Sequence, residues 1–134
     1  MDSVITITGN LTRDPEIRYG DTGNAYVRFG VATTRKDKSG KETTSFYDVV
    51  AFGSTAENAG NSLGKGNRVL VTGRQEIREF ERKDGSKGTV VEIVADEVAA
   101  SLRFATVGIS KNTKGDLVGA GTRKASVPAG YEEF

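Results

Sequence analysis

Over most of the first hundred residues of this chain apolar side chains recur at every second position, and the breaks in that alternation divide it into elements. Residues 45–52 form the strand around which the rest is organised: Phe46, Asp48, Val50 and Phe52 fall on one face, Tyr47, Val49 and Ala51 on the other. At Gly53-Ser54 the period changes. Ser54 followed three residues later by Glu57 reads as a capping box opening a short helix, with Ala56, Ala59 and Leu63 at helical spacing. Upstream, residues 4–10 form a first strand. Pro15 then marks an irregular link over 12–16, because it has no amide hydrogen to give to a ladder. Asp-Thr-Gly-Asn at 21–24 is turn chemistry. Residues 25–34 are a long second strand whose core face is Ala25, Val27, Phe29 and Val31, with Tyr26, Arg28, Gly30 and Ala32 turned the other way. The basic stretch 35–41 joins it to the organising strand as a long hairpin.

After the helix, Leu63-Gly64-Lys65-Gly66-Asn67 is a glycine-bearing turn that lacks the spacing and the Ser/Thr of a phosphate-binding loop. Alternation resumes over 68–75 with Val69, Val71 and Gly73 on one side, and charge dominates 76–83 except at Ile77 and Phe80. A second hairpin turn at 84–88 leads to a fifth strand, 89–98. Val91, Ile93 and Ala95 face one side of it and Val90 and Val94 the other, which predicts burial on both: one face sealing a barrel, the other meeting a partner surface. Five strands with one short helix between the third and fourth is the order of an OB-fold, an all-β, partly open Greek-key barrel. From Gly108 the composition shifts to Gly, Ser, Thr and Lys. The pattern predicts a domain over 1–107 and a flexible tail over 108–134.

Composition narrows the chemistry. A length of 134 residues suits one domain, and a net charge of +1 supplies no strong field toward a polyanion. Cysteine and histidine are both absent, which excludes disulfides, Cys/His zinc sites, thiol nucleophiles and imidazole triads. No signal-peptide pattern opens the chain and no apolar run approaches a membrane span, so a soluble cytoplasmic protein is expected. One enzymatic reading survives, a metal-dependent nuclease using Asp14, Glu16 and Asp21. It lacks a second ligand set.

Gly9-Asn10-Leu11, Asp14-Pro15-Glu16 with Arg18, Val31-Ala32-Thr33, the run from Phe46 to Phe52 with Gly53, Ala56-Glu57-Asn58, Lys65-Gly66, and Val71 with Gly73 together resemble the bacterial single-stranded DNA-binding proteins. The resemblance spans residues 4–104. Asp96-Glu97-Val98 and Ser101-Leu102-Arg103-Phe104-Ala105-Thr106 look most like the branch found in actinobacteria and their phages. It implies an OB-fold homotetramer that coats single-stranded DNA in replication, recombination and repair, needs no cofactor, performs no catalysis and associates with the nucleoid. An OB module for RNA, or a primosome-type adaptor, is the alternative.

By position, the family's base-stacking platforms fall on Phe46, Phe52 and Phe80. Tryptophan, frequent at such places in relatives, is absent from this chain. Arg18, Lys65 and Arg78 match basic positions of the family, whereas Asp48, Glu76 and Glu79 stand where relatives commonly carry cations. Arg28 and Arg74 offer compensating contacts from strands, and Arg35 and Lys36, with Lys38 and Lys41, form a basic hairpin. Residue by residue a plainer reading stays open. Phe46 and Phe52 either stack bases or fill the core, and Arg18 either meets phosphate or pairs with Asp14 or Glu16. The basic hairpin is either a phosphate contact or a solvated loop, and Tyr26 either stacks or packs between protomers. The resemblance also implies an acidic docking tip for replication and repair proteins, which here would be the short Glu132, Glu133 and Phe134 after Tyr131.

Overall fold

A computed structural model describes residues 3–113. The elements are β1 (Ser3–Leu11), β2 (Glu16–Tyr19), β3 (Ala25–Lys36), β4 (Glu42–Phe52), α1 (Gly53–Ser62), β5 (Arg68–Glu81) and β6 (Lys87–Ala100). They form one sheet in the order β1-β5-β6-β4-β3-β2, and a short pairing of β1 with β3 closes it into a barrel. β4 and β6 run parallel from Asp48↔Glu92 to Val50↔Val94; the other ladders are antiparallel. This is the OB-fold expected from the strand and helix order.

The core face of β3 is as predicted: Ala25, Val27, Phe29 and Val31 are buried against Val49 and Ala51 of β4, Val69 and Val71 of β5, and Ile93 of β6. Two other details differ from the sequence pattern. β2 is an additional strand directly after the link that Pro15 ends, paired with β3 from Glu16↔Arg28 to Tyr19↔Ala25. Four residues are too few to display a period. The helix begins at Gly53, with Phe52 in the N-cap position and no side-chain capping bond, so Ser54 does not open a capping box. β4 runs straight into the helix, and Gly53, at φ 66°, makes the turn that a separate capping residue makes elsewhere.

The fifth predicted strand is buried on both sides only within the barrel. Ile93 and Val94 are buried, but Val91 is exposed opposite exposed Ile77. β5 and β6 run past the barrel as a two-stranded arm with no sheet behind it. The β5–β6 ladder shifts register at Thr72/Gly73, where a Cβ on Gly73 would lie 2.1 Å from the carbonyl oxygen of Val94. Only glycine permits that approach.

From residue 101 to 113 the chain has no regular element. The Ser101 amide donates to the Arg68 carbonyl at 2.9 Å, and the guanidinium carbons of Arg68 and Arg103 lie 5.7 and 5.1 Å from the centroid of the Phe104 ring. The expected boundary at 107/108 falls in this stretch. Residues 114–134, and with them Glu132, Glu133 and Phe134, lie outside the described residues.

Candidate nucleic-acid interface

Strand register decides which side chains share the outer wall of the barrel. Val27, Phe29 and Val31 point inward and are paired with Ala51, Val49 and Tyr47, so the alternate pairs Tyr26↔Phe52, Arg28↔Val50, Gly30↔Asp48 and Ala32↔Phe46 point outward. Phe46 is 73 % exposed and Phe52 54 % exposed. Both phenylalanines therefore lie outside the core. On the arm, Phe80 is 40 % exposed and falls on the same outward register as Arg74, Glu76 and Arg78.

Val50 and Val94 share this outward register, yet both are buried. Arg28 is directly opposite Val50, and Arg74 directly opposite Val94. The aliphatic stems of arginines so placed cover neighbouring apolar surface and leave their charged heads toward water.

Those heads are not idle. Arg28 is hydrogen-bonded and ion-paired to Glu92, and Arg74 Nε donates to Glu76 Oε2 at 2.7 Å. Asp48, Glu92 and Glu76 occupy successive register positions across β4, β6 and β5, forming a carboxylate row between the levels of Phe46 and Phe52. Glu92 is only 8 % exposed. A carboxylate so buried needs a cation beside it, which ties Arg28 to it.

Arg18 Nη2 donates to Glu16 Oε2 at 3.1 Å, so of the two local partners considered it takes Glu16. Asp14 instead accepts the Lys65 backbone amide at 2.7 Å, and Lys65 belongs to the turn between α1 and β5, outside the strand ladders. Lys36 shares the outward register of Phe46 and lies 3.8 Å from Glu42. Arg35, one residue earlier, points to the opposite side with Thr33, Ser45 and Tyr47. Parity likewise sends Glu79 away from Phe80, so only Asp48 and Glu76 of the three acidic substitutions share the aromatic side. The hairpin tips are held by aspartates. The Ser39 hydroxyl, then the Lys41 amide, keep the Asp37 carboxyl below the usual carboxylate range, and the Ser86 hydroxyl and amide do the same for Asp84. Both tips therefore carry a fixed negative charge among their lysines.

Register thus gathers Phe46, Phe52, Phe80, Arg18, Arg28, Lys36, Arg74 and Arg78 on the outward side and separates Arg35 and Lys65 from them. Glu92 was not among the expected residues. Its signal in the sequence is faint: an acid in the outward alternation, flanked by Val90, Val91, Ile93 and Val94. Among the described residues, no group of three His, Cys, Asp or Glu side chains is placed to hold a metal ion. Asp14 and Glu16 spend their carboxylates on Lys65 and Arg18. No described helix is long and apolar enough to cross a membrane.

The family model described as the single-strand binding protein family matches residues 2–101, the whole barrel with its arm. The chain belongs to that family. It is 40 % identical over 131 residues to the single-stranded DNA-binding protein of Mycobacterium tuberculosis strain H37Rv, an alignment covering 92 % of this chain and 79 % of that one. The protein of the same name from Mycobacterium leprae is 43 % identical over 119 residues, covering 84 % of this chain and 71 % of its own. That from Paenarthrobacter aurescens is 38 % identical over 126 residues, covering 90 % and 74 %. All three organisms are actinobacteria, in agreement with the branch that residues 96–98 and 101–106 resemble.

Proposed function

We propose that this protein binds single-stranded DNA with little base preference and coats it during replication, recombination and repair, without catalysing a reaction on it. The observation that carries this reading is the exposure of Phe46, Phe52 and Phe80 on one side of an OB barrel, where rings offer a π-face to any unpaired base. Arg18, Arg28, Arg74, Arg78 and Lys36 accompany the rings on that side and meet phosphates, with Arg35 and Lys65 contributing from its margins. The carboxylate row keeps this electrostatic share small.

The assembly is a homotetramer. In support, β1 uses one edge for β5 over Ser3–Asn10 and meets β3 only at Asn10 and Leu11, so among the described residues most of its second edge is unpaired. One strand of DNA engaging several protomers gains affinity through effective concentration. The protein works in the cytoplasm, at the nucleoid. The last residues, Glu132, Glu133 and Phe134, dock replication and repair proteins, and residues 108–134 serve as the tether.

Two measurements test this. Light scattering with increasing lengths of oligo-dT is expected to show a tetramer taking up single strands, with duplex DNA competing poorly and oligo-U of equal length competing less well than oligo-dT. Oligo-U winning that competition would transfer the assignment to RNA. Removal of residues 131–134 is expected to leave oligo-dT affinity within about twofold while abolishing pull-down of helicase and repair proteins. Pull-down that persists refutes the docking role.

A further inference from the structure

We propose that Gly88 and Arg82 fix the pose in which Phe80 receives a base, making the arm of β5 and β6 a stacking unit of one positioned ring and one fixed cation. The inference rests on the DNA-binding reading above and adds two residues to it. Phe80 is paired directly with Gly88 across the arm. A Cβ on residue 88 would lie 2.5 Å from Phe80 Cζ, 2.8 Å from Cε1 and 2.7 Å from Arg82 Nη2. The ring and the guanidinium therefore converge over bare backbone, in the space that every other amino acid fills with carbon. Gly88 is buried although a two-stranded arm has no core, and the atoms nearest that space belong to Phe80 and Arg82.

Arg82 is held in turn by the hairpin. Its guanidinium carbon is 5.3 Å from the Phe80 ring centroid, and Nη1 donates to the Lys87 carbonyl at 3.0 Å. Its backbone amide donates to Ser86 O at 2.7 Å, closing the turn at its base. Arg18, Arg28, Lys36 and Arg74 are each ion-paired, whereas among the described residues no carboxylate lies within salt-bridge distance of Arg82. A cation without a carboxylate partner beside an ordered ring suits a nucleotide: the base extends the ring–guanidinium stack and its phosphate meets the charge. Ordering the ring beforehand removes the entropy that an exposed phenylalanine loses on binding, a factor of roughly two to ten in affinity.

The test is a double-mutant cycle on the full chain, read by oligo-dT affinity. Gly88→Val is expected to weaken binding by about two- to tenfold, with thermal midpoint and assembly unchanged, since valine suits a strand. In a Phe80→Ala background the same substitution is expected to cost clearly less, leaving only the part that comes from displacing the Arg82 guanidinium. An equal loss in both backgrounds, or no loss in either, overturns the proposal. Gly88→Ala carries the clashing carbon with the least added bulk and serves if valine disturbs the arm. Cross-relaxation between the Phe80 ring protons and the Gly88 Hα protons in the unbound wild type reports the pose directly, and its absence is equally fatal. Arg82→Gln is expected to lower the salt slope by about 0.7 per protomer, whereas a slope equal to wild type removes Arg82 from the unit. If Phe80→Ala alone binds as wild type does, the stacking reading of this site falls, a result distinct from failure of the cycle.

Discussion

A chain carrying Phe52→Ala and Phe80→Ala is expected to bind oligo-dT at least about thirtyfold more weakly than wild type, because each base–aromatic stack contributes roughly 1–3 kcal/mol and tenfold corresponds to about 1.4 kcal/mol. The factor is a lower bound, since several protomers on one strand multiply the loss. Phe52 is the last residue of β4 and the N-cap of α1, so two elements fix its backbone while half its surface stays open. Phe80 lies outside the barrel. Neither ring belongs to the cluster of buried residues around Phe29, so truncation leaves no core cavity and the melting temperature is expected to stay close to wild type. Loss of stacking releases no fewer counterions, so the dependence of affinity on salt should keep its slope while the curve drops. Full affinity in a variant that remains assembled would falsify the stacking assignment. A loss accompanied by a flatter salt slope would mean that the rings act by placing arginines.

What the sequence makes legible is set by the range over which each signal is local. Seven residues of alternation suffice to identify Ala25, Val27, Phe29 and Val31 as core. β4 is harder, because both of its faces are apolar. Phe46 and Phe52 are directed outward by the partners of the other face: Tyr47, Val49 and Ala51 oppose Val31, Phe29 and Val27. That is a property of register between strands, and the hairpin at 35–41 sets it. β2 is invisible for a different reason, since a four-residue strand at a sheet edge contains no full period to read. At Ser54 a sound local rule loses to geometry, because β4 extends without a loop to the first residue of the helix.

The charges were the least legible part. Arg28 and Glu92 are 64 residues apart in the chain. They meet because β3 pairs with β4 and β4 lies parallel to β6, so no window on the sequence contains both. The same holds for the order of Asp48, Glu92 and Glu76. Counting cations along the chain gives a basic track, whereas the folded strands match three of its arginines, Arg18, Arg28 and Arg74, to carboxylates. Parity then separates Arg35 from Lys36 and Glu79 from Phe80, a distinction that residue type alone does not draw.

Neutralising Glu92, which masks Arg28, together with its neighbour in the carboxylate row, as Glu92→Gln with Asp48→Asn, is expected to strengthen binding at low salt and to steepen its salt dependence. In the wild type a phosphate that reaches Arg28 displaces Glu92, and the displaced carboxylate takes up a cation that offsets the one DNA gives up. The net release is small, which is why the wild-type slope should be shallower than that of more basic relatives. Glutamine at 92 keeps an oxygen for the Arg28 guanidinium but no charge to be compensated, so a phosphate contact then releases a counterion outright. The slope for a single strand rises by about 0.7 for each such contact, or about 2.8 for four engaged protomers. Raising salt fourfold would then weaken the variant by roughly fiftyfold more than the wild type. The fold should tolerate the change, because Glu92→Gln is isosteric and the Arg28 side chain is about half exposed, so no dry charge is left behind. Parallel titrations of both proteins with oligo-dT between low and moderate salt decide the matter. Identical slopes would place the path of the strand away from Arg28 and restrict the electrostatic contacts to Arg78, Arg82 and the margins of the barrel.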